Sequence, residues 1–313
     1  MNYLNFFGFS DEPFRMTPDR AFYFPSANHT ALIETIRFGL RQGDGFILVT
    51  GEVGTGKTLM LRLLMSDLDD CYETALLVSP HLTPKQLLLA IFDDMGQSER
   101  VDEKSGFDRL IRTLNGYLYE LSQQGKKLLI IVDEAQNLPN ESIEQLRLLS
   151  NFETDKQKLL QILLVGQPEL DEKIQRPELR QLLQRVNIME TLHPLSHGEM
   201  VLYAHYRLNK AGRGDIRLDK KSRKLLWSYT RGFPRLINKL MSRALLVAYA
   251  GQQNIDHHCL REAASSLRMR SISTKSFFRR PALVASLCGA LIAIGTAVYL
   301  WIGPNPDFIF PWL

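Results

Sequence analysis

Two short stretches carry residue types and spacing suited to nucleotide chemistry. The first is Gly51-Glu52-Val53-Gly54-Thr55-Gly56-Lys57-Thr58, a complete G-x-x-x-x-G-K-[ST]. Glycines let successive backbone N–H groups turn inward around phosphate oxygens. The helix that follows adds its positive end. Lys57 is placed to reach the β- and γ-phosphates of ATP, and Thr58 to put its hydroxyl on Mg²⁺. The second stretch is Lys127-Leu-Leu-Ile-Ile-Val-Asp133-Glu134, an apolar run ending in two carboxylates. At such a strand end Asp133 suits the Mg²⁺ shell, and Glu134 suits a general base acting on water. An acidic turn after a strand is ordinary by itself. Downstream of a phosphate loop, the Asp-Glu pair points to hydrolysis rather than mere holding of nucleotide.

Positioning these groups requires strands that stop abruptly. Five β-like runs stand out: Phe46–Thr50, Ala75–Ser79, Leu128–Val132, Leu160–Val165 and Val186–Leu192. Helical periodicity fills the gaps, which predicts a parallel sheet covered on both faces. After Pro194 strand signals end. Glu199–Ala211, Lys220–Tyr229, Arg235–Tyr249 and Asp256–Leu267 read as a small helical bundle. The expected division is 1–194 as an α/β nucleotide-binding domain with an aromatic N-terminal linker, and 195–268 as a helical lid. Residues 269–281 read as a basic linker and 303–313 as a short non-cytoplasmic tail.

Residues 282–302 carry no charge. As a helix rising ~1.5 Å per residue they would span roughly 30 Å, a bilayer's hydrocarbon core. Arg279 and Arg280 precede the run and nothing basic follows it. The expectation is one transmembrane helix in a bacterial inner membrane, with the preceding residues cytoplasmic.

Composition is that of a globular protein: 313 residues, 45% hydrophobic and 23% charged, with a formal charge of +4. That mild basicity permits a nucleic-acid partner without requiring one. Three scattered cysteines, Cys71, Cys259 and Cys288, exclude a disulfide framework. His257-His258-Cys259 lacks a second ligand pair at zinc spacing and reads as a polar helix start. The first residues lack the basic segment of a secretory signal.

With these motifs in place, the chain resembles the AAA+ P-loop ATPases, specifically the ExeA-like branch that serves secretion and type IV pilus-like systems. FFGFSDEPFRMTPD, FYFPS, FILVTGEVGTGKT, IIVDEAQNL, LLVGQPEL and RGFPRLIN carry the likeness, which runs from about Tyr3 to Leu267. The Walker motifs mark P-loop ATPases as a class, whereas the Phe-rich opening and the pair DEAQNL/VGQPEL mark the branch. The resemblance implies that Gln167 is the sensor-1 residue, that Arg185 is an arginine finger reaching a neighbouring subunit, and that Arg235 is sensor 2. Arg176 and Arg180 compete with Arg185 for its role. The segment Phe14–Phe24 matches the adenine-side linker, although packing of its aromatics explains each residue equally well. A finger in trans implies a homo-oligomer, with a ring as the family expectation. Secretion members continue into a peptidoglycan-binding region, whereas here only residues 303–313 follow the apolar run.

Three functions come into consideration. One is a membrane-anchored assembly motor acting with inner-membrane secretion or pilus components. The second is a DNA-binding AAA+ ATPase of the transposition or replication-initiation kind, which Lys220, Lys221, Arg223 and Lys224 would allow. The third, a nucleotide-gated scaffold without turnover, fits poorly with the intact Asp133-Glu134 pair.

Overall fold

The structure is a computed structural model and describes residues 3–17, 19–78, 81–154 and 157–271. In chain order its elements are α1 (Tyr3–Phe7), α2 (Ala27–Gln42), β1 (Phe46–Thr50), α3 (Lys57–Ser66), β2 (Tyr72–Val78), α4 (Pro84–Asp94), α5 (Phe107–Gln123), β3 (Lys127–Asp133) and α6 (Asn140–Leu149). There follow β4 (Leu160–Gly166), α7 (Pro168–Ile174), α8 (Arg180–Leu183), β5 (Val186–Thr191), α9 (His197–Lys210), α10 (Lys220–Thr230), α11 (Pro234–Ala250) and α12 (His257–Ser266).

The five strands pair in parallel in the order β2-β3-β4-β1-β5. β1, β3 and β4 are apolar nearly throughout because both faces of the sheet are covered. Alternation sorts their side chains between two cores. Ile47, Val49, Ile131 and Val165 pack against Leu32 and Ile36 of α2 and Met60 and Leu64 of α3. Phe46, Leu48, Ile130 and Leu164 pack against α4 to α8 on the other face, through Leu88, Leu114, Leu146 and Ile174. Helix starts are marked by side-chain caps. Thr83 and Ser196 each form a capping box, with Gln86 and Glu199, and Ser26 accepts from the His29 N–H.

Helices α9 to α12 form a third core around Met200, Leu226, Ile237, Met241 and Leu260. The N-terminal segment, grouped by its sequence with the α/β part, buries Phe7, Phe9, Phe14 and Phe22 in this helical core instead. Each large apolar side chain so buried stabilises the fold by about 1.5–3 kcal/mol, and the helical bundle is where that segment finds unfilled apolar surface. Gly232 ties the bundle to the segment that follows β5, at Leu195. Its φ is +82°, and an added Cβ would lie 1.8 Å from the Leu195 carbonyl oxygen, so a side chain there is both strained and blocked.

One element of the expected fold class is corrected. Among the described residues no helix is long and apolar enough to cross a membrane. The longest of them, α5 and α11 at 17 residues, carry one buried apolar face and polar residues opposite. The transmembrane helix and the single-pass inner-membrane placement rested on the length and hydropathy of residues 282–302 and on the basic residues before them, all of which lie outside the described residues. Both are withdrawn. The α/β sheet with its helical lid stands without them.

Candidate active site

The carboxyl ends of β1, β3 and β4 converge on one edge of the sheet. β1 runs into Gly51, β3 ends at Asp133 and β4 ends at Gly166, beside Gln167. The phosphate loop sits between β1 and α3, anchored by a hydrogen bond from Gly51 N to Gly166 O (3.1 Å). Thr55 closes the turn by donating to the Glu52 carbonyl (2.9 Å). Lys57 is buried, and its Nζ donates to the carbonyls of Gly51 (2.6 Å) and Glu52 (3.2 Å). Burial lowers its pKa, opposed by the nearby charges of Glu134, Asp133, Glu52 and Glu169. Val53 and Glu52 at the loop's crest are exposed.

Thr58 and Asp133 lie together, with the Thr58 hydroxyl donating to Asp133 Oδ2 at 3.2 Å. Burial raises the Asp133 pKa, against the Glu134 N–H and the Thr58 hydroxyl that stabilise its charged form. Two hard oxygen donors this close suit a divalent cation that keeps most of its waters and binds phosphates, which is how Mg²⁺ is held. Glu134 lies beside them in the left-handed region, at φ 55° and ψ 39°. Its Oε2 accepts from Gln167 Nε2 (2.9 Å) and Gln136 Nε2 (2.6 Å). Burial pushes the Glu134 pKa upward, but the two amide donors and the Lys57 charge outweigh it and leave the carboxyl below its usual range.

The pocket beside these groups has a volume of about 370 Å³. Gly54, Lys57, Thr58 and Glu134 form one end, and Arg15, Asp19, Tyr203 and Arg207 the other. Arg235 closes over the loop at the start of α11. Its N–H donates to the Gly54 carbonyl (3.3 Å), and a Cβ on Gly54, at φ +87°, would come within 2.8 Å of the Arg235 Cβ. The loop and the lid therefore touch directly, at a residue that must be glycine. A second, narrower space beside it is lined by Phe22, Tyr23, Leu59 and Pro234. A pocket with a phosphate cradle at one end and apolar rings near the other fits a nucleoside triphosphate.

Arg185 does not line this pocket. It follows α8 and donates to Ser150 Oγ (3.1 Å) and the Arg147 carbonyl (3.4 Å) at the end of α6, and it also binds Asn151. Arg176 and Arg180 are exposed. At α12, Asp256, His257 and His258 cluster, but the Asp256 carboxylate already accepts from the Cys259 N–H as the helix cap.

Sequence reasoning missed several pocket residues. Arg207 is buried and donates to the carbonyls of Pro13 (2.6 Å) and Arg15 (3.2 Å) and to the Tyr203 hydroxyl (3.3 Å), with its guanidinium 4.8 Å from the Phe22 ring centre. Its one signal is an arginine on the apolar face of α9, in step with Met200, Tyr203 and Ala204. Tyr203 passes the network on to Asn238 on α11 (2.8 Å). His29 lies beneath the loop against Gly56, with Ser26 Oγ 2.6 Å from its Nδ1. Burial lowers its pKa and favours the neutral ring.

Comparison with known proteins agrees with this arrangement. The AAA domain family matches residues 40–174. General secretion pathway protein A of Aeromonas hydrophila is 38% identical over 306 residues, 97% of this chain and 55% of the relative. The chain thus spans about half the length of that curated relative. Among solved structures, the Aeropyrum pernix ORC2 protein is similar with a TM-score of 0.60 and 17% identity, covering 83% of this chain and 74% of that one. Pyrobaculum aerophilum Cdc6p is similar with a TM-score of 0.61 and 16% identity, covering 80% and 71%. At such identities these two likenesses speak to the fold alone: a nucleotide-binding α/β core with a helical lid. The 38% identity to general secretion pathway protein A over 97% of this chain, together with the AAA domain match and the phosphate loop and paired carboxylates described above, places this chain in the AAA+ P-loop ATPases, as a member of the branch typified by that relative.

Proposed function

We propose that the protein hydrolyses ATP with Mg²⁺ and uses the cycle to drive assembly or operation of a secretion or type IV pilus-like complex. The observation that carries the chemistry is the meeting of Lys57, Thr58 and Glu134 in one pocket, with Asp133 held to Thr58 beside them and Arg207 and Arg235 of the helical bundle on its wall. Lys57 and the loop N–H groups bind the phosphates of the substrate. Asp133 and Thr58 would hold Mg²⁺, which supplies charge neutralisation on the β- and γ-oxygens. Glu134 takes a proton from water as the water oxygen attacks the γ-phosphorus, the bond to the bridging oxygen breaks, and ADP leaves with phosphate. Gln167 steadies Glu134 and the water, and Arg235 brings the lid to the γ-phosphate. Arg185 completes the site of a neighbouring copy, so turnover rises with homo-oligomer formation. We read 1–194 and 195–268 as the two moving parts of this cycle. The client class rests on the likeness to general secretion pathway protein A and on nothing in the site itself.

A second reading, DNA binding, is favoured by one observation. On the lid a concavity of about 370 Å³ is lined by Lys221, Lys224, His257 and Arg261. The experiment that separates the two is affinity capture of the Glu134→Gln protein with ATP present, because that variant should hold ATP and its clients. Secretion or pilus components recovered by mass spectrometry support the first reading. Nuclease-sensitive DNA, with binding that falls steeply with salt, supports the second.

A further inference from the structure

The residue between the paired carboxylates and the Gln167 strand is Gln136, and the geometry around it is specific. Its amide uses both of its functions. Nε2 donates to Glu134 Oε2 at 2.6 Å, and Oε1 accepts from the Gln167 N–H at 3.1 Å. Gln167 Nε2 reaches the same Glu134 oxygen at 2.9 Å. Glu134, Gln136 and the end of β4 thus form a closed three-membered network, while Glu134 Oε1 has no hydrogen-bond partner among the described residues.

The surroundings hold Gln136 in that position. The chain turns straight from Glu134 into a short 3₁₀ turn, Ala135–Asn137, which folds the Gln136 side chain back toward β4. Lys173 on α7 secures that turn by donating to the Gln136 carbonyl (3.2 Å) and to the Leu138 carbonyl. Space is reserved as well, since a Cβ on Gly166 would come within 2.8 Å of Gln136 Oε1. The left-handed backbone of Glu134 costs about 1–2 kcal/mol for a residue with a side chain, which the network offsets.

We propose that Gln136 is a positioning residue for Glu134: it ties Oε2 to the end of β4 and leaves Oε1 as the oxygen that meets water. This rests on the reading of Glu134 as the base. An amide suits the task, because one side chain must donate to a carboxylate and accept from a backbone N–H at once. Glutamate in its place would set a second carboxylate against Glu134, and methionine would fill the space without either bond.

The experiment is steady-state kinetics and nucleotide binding on the full chain with Gln136→Met, Gln136→Asn and Glu134→Gln, and on the Glu134→Gln/Gln136→Met double variant. Gln136→Met should lower kcat ~10- to 100-fold, with KM and nucleotide affinity within about twofold of the parent. In the Glu134→Gln background the same change should alter the residual rate less than about twofold, since there is no base left to position. Gln136→Asn keeps an amide one carbon short and should fall between the parent and the methionine variant, which keeps the proposal open to refutation if methionine disturbs folding. A Gln136→Met kcat within about twofold of the parent, or an equal loss with and without Glu134, overturns the proposal. Normal turnover by Glu134→Gln alone overturns the reading of the base instead, and this inference with it.

Discussion

The two ends of the pocket are built in opposite ways. The phosphate end is assembled from residues that neighbour one another in sequence or terminate adjacent strands: Gly51 to Thr58, Asp133, Glu134 and Gln167. The lid end is assembled from segments far apart in the chain, with Arg207 on α9 holding the carbonyls of Pro13 and Arg15, 194 and 192 residues away. The first is braced by a sheet buried on both faces; the second is a contact between a helical bundle and an N-terminal segment. The carboxylates and the phosphate loop thus sit on the sheet side, while Arg207 and Arg235 bring the bundle and the N-terminal segment against them.

Substitutions can sharpen or break this contrast. The largest expected effect is Lys57→Ala, which should abolish detectable nucleotide binding by calorimetry, because the Lys57 ammonium is held inside the loop against the Gly51 and Glu52 carbonyls. Next comes Arg207→Ala. It removes three hydrogen bonds and two ring contacts at the lid end, so nucleotide affinity should fall about tenfold (~1.4 kcal/mol) and thermal stability should drop, while kcat at saturating ATP changes little. A loss of kcat with affinity intact would mean that the lid end takes part in the chemistry, and the contrast would fail.

Asp133→Asn should divide function from stability. Burial raises the pKa of Asp133, so the folded state binds its proton more tightly than the unfolded chain, and stability falls as pH rises through and above the ordinary carboxylate range. An uncharged asparagine escapes that penalty. The nucleotide-free variant should melt a few degrees higher at neutral pH while losing Mg²⁺-dependent turnover. The smallest effect concerns His29. Its pKa is lowered in the fold, so its contribution is complete above about 6.5 and declines as pH falls below that value, where the unfolded chain takes up the proton first. Melting curves from pH 7.5 to 5.5 should show a slope that is shallower in His29→Gln.

The same contrast explains what the sequence discloses. A phosphate loop and a strand-end carboxylate pair are local patterns with a fixed chemical meaning, so Gly51–Thr58, Asp133 and Glu134 are legible before any coordinates. All five strands are legible too: β1, β3 and β4 read as buried apolar runs, while β2 begins three residues before its run and β5 is largely exposed. Gln136 is visible only as a letter in DEAQNL, because its role depends on where β4 ends. Arg207 and Tyr203 are hidden because their partners lie at the other end of the chain. The aromatics of Phe14–Phe24 read equally well as an adenine-side linker or as plain packing, and the fold buries Phe14 and Phe22 in the core of the helical bundle. The apolar run at 282–302 invited a membrane helix by its length, hydropathy and basic flank, and no described helix bears that out.

The central claim is that Glu134 acts on water at a site where nucleotide is held by other groups. The most direct measurement pairs ATP affinity with single-turnover hydrolysis for the parent and the Glu134→Gln protein. The account predicts affinity within about twofold and a chemical step slowed at least ~100-fold. Hydrolysis at the parental rate by the glutamine protein would contradict it and return the search for the base to the other carboxylates of the pocket.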